Sequence, residues 1–276
     1  MANILISYGD IRYYESVKRI TRQARKIKFF DKVIAYSEKD LSNELKESSL
    51  FQYTRGGGYW LWKPWVILDA LRKCNPGDVV YYVDSGCGLN RTSREWRIYD
   101  ELIQKYSAIF FQYREASTYP GWSIFCSNKD NFSSKIKYWT KPLCRKFLDD
   151  YFGDDGYREF FSVWAGACVV KKCEKGLAMV QEWFDIMNAN PEIVRDMEGD
   201  ELNNVPSDFN KHRHDQAILT ALVYYREMEL NLIVIPETSE SQKEMAAIRA
   251  DRFIQKKMKW IPYVKYRLYN LFHKID

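Results

Sequence analysis

The chain has 276 residues, 46% of them hydrophobic, so it can bury a sizeable core in one large domain or two small ones, and global disorder is excluded. The net charge of +5 is modest and comes with no nucleic-acid-binding motif, which argues against a nucleic-acid partner. No apolar run approaches the roughly 20 residues of a membrane span, and the six cysteines at 74, 87, 126, 144, 168 and 173 include no C-x-x-C pair for a structural zinc site.

In chain order, Met1-Ala2-Asn3 leads straight into Ile4-Leu5-Ile6, which does not resemble a secretory signal, so a cytoplasmic protein with reduced thiols is expected. Ile4–Tyr8 reads as the first strand and ends in the polar corner Ser7-Tyr8-Gly9-Asp10. A basic helix is expected over about Tyr13 to Lys26, a second strand over Val33–Tyr36, and a polar helix or loop over Glu38–Glu47. The segment Arg55-Gly56-Gly57-Gly58-Tyr59-Trp60-Leu61-Trp62-Lys63-Pro64-Trp65 reads as a glycine turn running into a helix. Pro64 suits a first helical turn, where its missing N–H would have had no partner, and the helix should run to Cys74. The turn Pro76-Gly77-Asp78 launches the apolar run Val79–Val83, an interior strand that stops at Asp84-Ser85-Gly86-Cys87-Gly88. A helix over Glu95–Tyr106 and a strand over Ala108–Phe111 follow.

The second half reads as a helix over Lys135–Phe152, a loop at Gly153–Gly156, and a buried strand within Phe160–Val170. Gly166 in that strand marks a bulge or a close approach by a ligand. Leu177–Met187 reads as an amphipathic helix, Asn188–Phe209 as a polar loop mobile over a site, and Leu232–Pro236 as the last strand. Between them, Lys211-His212-Arg213-His214-Asp215-Gln216 opens an apolar helix that Asp215 can cap. This alternation of strands and helices defines an α/β class: a Rossmann-type, mainly parallel central sheet flanked by helices.

Three segments carry candidate chemistry. Ligands in open α/β sheets sit beyond the carboxyl ends of the strands. Asp84, at such an end and followed by small residues, suits a metal ion or a sugar hydroxyl; it also suits the plain role of capping a turn. The first strand's corner, with Ser7 and Tyr8, should face the same crevice. The glycine segment adds Arg55 and Lys63 next to a helix start, a setting that attracts anions, although its spacing is not that of a P-loop and its tryptophans suit a core equally. His212, His214, Asp215 and Gln216 can bind a metal, a phosphate or sugar hydroxyls, or can serve as a helix cap with solvated neighbours.

Taken together, R-G-x-G-Y-W-x-W-K-P, a strand ending in Y-x-D-x-G, and H-x-D-Q opening a helix resemble bacterial glycosyltransferases of the GT-A type, of the kind that assemble capsular polysaccharide and O-antigen. The resemblance covers roughly residues 1 to 236. It implies a GT-A-like fold and a hexosyltransferase using a nucleotide-sugar donor, a UDP-hexose, and an oligosaccharide or lipid-linked glycan acceptor. It also implies Mn2+ or Mg2+. The usual metal motif is D-x-D, and here its third position is Gly86, which leaves one ligand fewer. In this reading Asp84, Asp215 and Gln216 are the catalytic set. Ser7, Tyr8, Arg55, Lys63, Asp84 and Gly166 contact the nucleotide sugar, and Asp84 with His214 (or His212) holds the metal. The H-x-D-Q segment resembles retaining members more closely. A high aromatic content, 16%, fits rings laid on sugar C–H faces, though most such rings fill cores. Two other readings stay open: a non-catalytic glycan- or nucleotide-binding protein on the same fold, and a nucleotidyltransferase.

Residues 1–250 are expected to form the catalytic domain and 251–276 a basic, aromatic tail. From Arg252 to Ile275 there are seven Lys or Arg and no acid, interleaved with apolar side chains. Such a segment can make peripheral contact with an anionic membrane at its cytoplasmic face, or pack as a helix on its own domain.

Overall fold

The computed structural model describes residues 1–113, 133–240 and 245–251. Its central sheet has six strands: β1 (Asn3–Tyr8), β2 (Lys32–Tyr36), β3 (Val79–Val83), β5 (Ala108–Gln112), β6 (Val163–Lys171) and β7 (Leu232–Pro236). Their spatial order is β2-β1-β3-β6-β5-β7. β1 pairs parallel with β2 and β3, and β5 with β7; β6 alone runs against both its neighbours. The architecture is thus mixed α/β with a mainly parallel sheet. A separate two-stranded ribbon joins β4 (Gly88–Leu89) to β8 (Ile248–Arg249), which brings residue 251 beside the loop that follows β3.

Among the described residues, six helices longer than one turn and a half cover the sheet: α1 (Tyr14–Lys26), α2 (Trp62–Lys73), α3 (Glu95–Lys105), α4 (Pro142–Phe152), α5 (Glu174–Ala189) and α6 (Asp215–Arg226). Strand alternation divides the core in two. Val80 and Tyr82 face the α2, α5 and α6 layer, and Val79, Tyr81 and Val83 face α1 and α3. All five residues of β3 are at most 1% exposed, which fits a strand covered on both faces. Burial of each such aliphatic side chain contributes about 1.5–3 kcal/mol.

The turn that launches β3 is built as its sequence implies. Gly77 has φ +85°, and the Asp78 carboxylate accepts from Ala2 N at 2.8 Å and Asn75 N at 3.0 Å. α2 begins two residues ahead of Pro64, so the proline still lies in the first turn, where no donor is needed. The expected helix over Lys135–Phe152 is divided. A short 3-10 turn, Ile136–Trp139, precedes α4, which starts at Pro142. Lys141 is extended, the conformation that a following proline favours.

The stretch Asn188–Phe209 also differs from expectation. α5 continues to Ala189, Pro191–Val194 forms one helical turn with Ile193 and Val194 buried, and Gly199–Leu202 is a capped 3-10 turn. Only Asn43–Glu47 of the polar segment after β2 is helical. The tail after residue 251, with the membrane contact read into it, lies outside the described residues. Within them, no helix is long and apolar enough to cross a membrane.

The glycine segment forms a left-handed turn. Five consecutive residues have positive φ: Gly56 (+58°), Gly57 (+59°), Gly58 (+91°), Tyr59 (+49°) and Trp60 (+62°). Side chains disfavour this region by roughly 1–2 kcal/mol per residue. A Cβ on Gly58 would also come within 3.2 Å of the Phe51 ring. Gly58→Ala is therefore expected to lower unfolding free energy by about 1–3 kcal/mol in a denaturant titration; an unchanged midpoint would contradict the left-handed assignment.

Candidate active site

A cleft of about 960 Å³ opens at the carboxyl ends of β1 and β3. Its wall includes Tyr8, Asp10 and Arg12 after β1, Arg55, Gly56 and Trp60 from the left-handed turn, and Lys63. Asp84 to Cys87, Trp164 to Gly166, 210–216, Trp139 and Glu240 also contribute to it. Of the residues expected at the site, Tyr8, Arg55, Lys63, Asp84, Gly166, His212, His214, Asp215 and Gln216 line this one cleft. Ser7 does not. Alternation along β1 puts Tyr8 with Ile4 and Ile6 on one face and Ser7 with Leu5 on the other, where Ser7 is fully buried. Tyr8 instead stacks on Trp62, ring centroids 4.1 Å apart.

The floor is a buried charge cluster. Lys63, from the first turn of α2, donates from Nζ to Asp215 Oδ2 at 2.8 Å and to the Ala165 carbonyl at 3.0 Å. Its Nζ lies 3.7 Å from Asp84 Oδ1. The same Asp84 oxygen accepts the Tyr82 hydroxyl in a short hydrogen bond, a contact made possible because residues two apart on a strand share a face. Lys63 and Asp215 are almost wholly enclosed, whereas the Asp84 side chain is 38% exposed and opens to the cleft. Burial alone would push the Lys63 ammonium down; the Asp215 and Asp84 carboxylates outweigh it and hold the group above the ordinary lysine value. Burial raises the Tyr82 phenol well above its usual value, so it stays a donor to Asp84.

Asp215 does not cap α6. It is the first helical residue, with its carboxylate on Lys63 and its carbonyl taking the Trp183 indole N–H at 3.2 Å. His214 occupies the cap position with φ +49°. The close approach at Gly166 is made by the chain itself and not by a ligand: a Cβ would collide with the Trp164 indole, and the Gly166 carbonyl accepts the Asp84 N–H at 2.8 Å.

The histidines face inward. His212 Nε2 bonds the Ile193 carbonyl at 2.9 Å and Nδ1 accepts from Lys141 N at 3.3 Å, which uses both ring nitrogens. His214 Nδ1 bonds the Val194 carbonyl at 2.8 Å; its Nε2 is buried and lies 3.7 Å from Asp196 Oδ1. Asp84 and His214 are thus engaged by different partners. Among the described residues no group of three or more His, Cys, Asp or Glu could hold a metal ion. Asp84, with one oxygen taken by Tyr82 and an ammonium beside it, does not fit a divalent cation held by protein ligands alone.

Arg55 is likewise engaged. It pairs with Asp196 at 2.7 Å, and Tyr59 donates to the same carboxylate oxygen at 3.0 Å. Trp60 stacks on His214 with centroids 5.3 Å apart, so the left-handed turn is pinned to the segment that opens α6. Arg12 forks onto Asp10. Sequence reasoning missed Arg12, Asp196 and Trp164; it held Asp10 only as part of the polar corner after β1 and Tyr82 only as a strand and motif residue. The Tyr82–Asp84 pair carried a signal, the strand period of two; the Asp196 contact, far along the chain, carried none.

The sequence matches no family model and no curated protein. Several solved structures are similar to the chain, and they are glycosyltransferases. One, involved in glycosylating the major capsid of PBCV-1, is 11% identical over 98% of this chain and 100% of that one, with a TM-score of 0.46. Mouse xyloside xylosyltransferase 1 is 10% identical over 84% of this chain and 85% of that one, with a TM-score of 0.42. Core-mannan synthase A from Aspergillus fumigatus, in a Mn/GDP form, is 10% identical over 81% and 69%, with a TM-score of 0.38. Likenesses at this level assign no activity.

Two outcomes follow from the floor of the site. Replacing Lys63 with Met leaves two carboxylates facing each other without their cation, at an expected cost of about 3–5 kcal/mol in denaturant unfolding at pH 7. Adding Asp215→Leu should recover part of that loss; a single-variant cost under about 1 kcal/mol would contradict the pairing. Burial holds the His214 imidazole down at about 4 and the His212 imidazole well below its ordinary value. The unfolded imidazoles take up protons as pH falls through about 6.5, while the folded ones stay neutral. Stability present above pH 6.5 is therefore lost as pH falls toward 4, by about 3 kcal/mol for His214 alone. His214→Gln should flatten that slope, and an equal slope in both proteins would contradict it.

Proposed function

We propose that this chain is a glycosyltransferase that moves a sugar from a nucleotide-sugar donor, a UDP-hexose, to a surface glycan of the capsule or O-antigen kind, carried on a lipid or free. One observation carries the reading: a half-exposed carboxylate, Asp84, at the carboxyl end of a parallel strand, held from behind by the buried Tyr82 and Lys63. Such a crevice suits a nucleotide sugar, and the order of the three motifs along the chain supports the same class. Asp84 Oδ2, which has no hydrogen-bond partner among the described residues, accepts from a donor hydroxyl. The Gln216 amide, also without a side-chain partner among them, lines the cleft and contacts the sugar face. Asp215 and Lys63 act behind Asp84 and set its position.

In the reaction the bond from the anomeric carbon to the diphosphate oxygen breaks, with its electron pair leaving on the diphosphate. The acceptor oxygen bonds to that carbon, and its proton passes to the leaving group. Fixed charges and dipoles near the diphosphate act on the charge that develops there. Retention at the anomeric carbon is the stereochemistry that the H-x-D-Q resemblance favours.

Asp84→Asn is expected to lower kcat/KM for UDP-hexose-dependent transfer at least about a hundredfold while the melting temperature holds. Release of UDP from a panel of nucleotide sugars is the assay. Near-normal turnover in the folded variant would remove Asp84 from the role. Binding without turnover in the wild-type chain would make it a binding module, and diphosphate release from a nucleoside triphosphate would make it a nucleotidyltransferase.

A further inference from the structure

Among the described residues, five cationic side chains line the cleft: Arg12, Arg55, Lys63, Lys211 and Arg213. Three are neutralised in place, Arg12 by Asp10, Arg55 by Asp196, and Lys63 by Asp215 and Asp84. Lys211 and Arg213 are exposed, and neither makes an ion pair or a side-chain hydrogen bond among the described residues. Their placement follows from the segment's alternation. His212 and His214 turn inward onto the Ile193 and Val194 carbonyls, which leaves Lys211 and Arg213 on the outer side. The backbone is tied down between them, with Arg213 N donating to the Trp139 carbonyl at 2.9 Å. The Arg213 guanidinium lies over the Trp139 ring, 4.6 Å from its centroid, a contact that engages its face and not its N–H groups.

We infer that Lys211 and Arg213, rather than Arg55 and Lys63, form the diphosphate-binding pair of this cleft. The Lys63 cluster beside them carries one negative charge in excess, so an entering diphosphate is repelled there and needs cations that no carboxylate already satisfies. Lys211 and Arg213 are both exposed and stand two residues apart, so their Cα atoms are at most about 7 Å apart, close enough for an ammonium and a guanidinium to flank one diphosphate. Arginine's planar fork and the lysine point charge are the groups that bind such oxygens. The choice of ligand rests on the nucleotide-sugar reading. A diphosphate could belong to the donor or to a lipid-linked acceptor, and the two are separated by experiment.

The full chain is titrated by calorimetry with inorganic diphosphate at 25 mM salt. Lys211→Gln and Arg213→Gln should each weaken binding about tenfold and together about a hundredfold, while Arg55→Gln changes it less than about twofold. Raising salt to 300 mM should weaken the wild type far more than the double variant. The charge-keeping Lys211→Arg should retain binding; the melting temperature should hold for Lys211→Gln and fall only slightly for Arg213→Gln, which loses its contact with the Trp139 ring. UDP against uridine, and farnesyl diphosphate against farnesol, then assign the source: loss in the double variant confined to UDP marks the donor, and loss confined to farnesyl diphosphate marks the acceptor. Absence of diphosphate binding in the wild type, equal binding by the double variant, or a larger effect of Arg55→Gln would overturn the inference. If the pair binds diphosphate but no nucleotide sugar is turned over, the anion site stands and the transferase reading falls.

Discussion

A single buried ammonium organises the floor of this cleft. Lys63 is met by the start of α6 through Asp215, by the end of β3 through Asp84, and by β6 through the Ala165 carbonyl. Two helices and two strands, remote in sequence, are thereby registered at one point. A buried ion pair is a weak source of net stability, because the desolvation it costs is comparable to the attraction it gains. What it does supply is position. Asp84 is fixed from behind by Lys63 and Tyr82 and from its own backbone by the Gly166 carbonyl, so only its outer oxygen is offered to a ligand. A site held within tenths of an ångström before anything binds is what electrostatic catalysis requires.

The second constraint is the left-handed turn over Gly56–Trp60. Tyr59 and Trp60 hold a conformation that side chains avoid, and each is kept there by a distant partner, Tyr59 by Asp196 and Trp60 by the His214 ring. Backbone strain of this kind persists only where surrounding contacts over-determine it. The 190–214 segment is further anchored by the bonds of His212 to Ile193 and of His214 to Val194, and with both imidazoles inward Lys211 and Arg213 face outward. The strained turn and the segment that carries Lys211 and Arg213 thus meet at one residue, His214, which stacks on Trp60 and bonds the Val194 carbonyl.

Much of the scaffold was legible in the sequence. The apolar run Val79–Val83 between a Pro-Gly turn and Asp84 marked the central strand, and the strand–helix alternation marked a mainly parallel sheet. The reversed direction of β6 was not legible, because an apolar strand buried on both faces carries no sign of its direction. Three glycines announced positive φ, but nothing announced that Tyr59 and Trp60 would follow them into it. Ser7 was misplaced by one residue, which on a strand is the opposite face. The helix expected across Pro142 broke where proline requires. Most of the residues expected together do line one cleft, but their pairings within it were not legible. Lys63 and Asp215 lie 152 positions apart, and no local pattern shows that they pair or that Arg55 meets Asp196.

The central claim is that the fixed outer oxygen of Asp84 meets the donor. A crystal structure of the chain with a bound UDP-hexose tests it most directly. The account predicts the nucleotide sugar in the cleft beyond β1 and β3, with a donor hydroxyl within about 3 Å of Asp84 Oδ2 and Lys63 still on Asp215. A nucleotide sugar bound outside this cleft, or bound within it with Asp84 untouched, would contradict it.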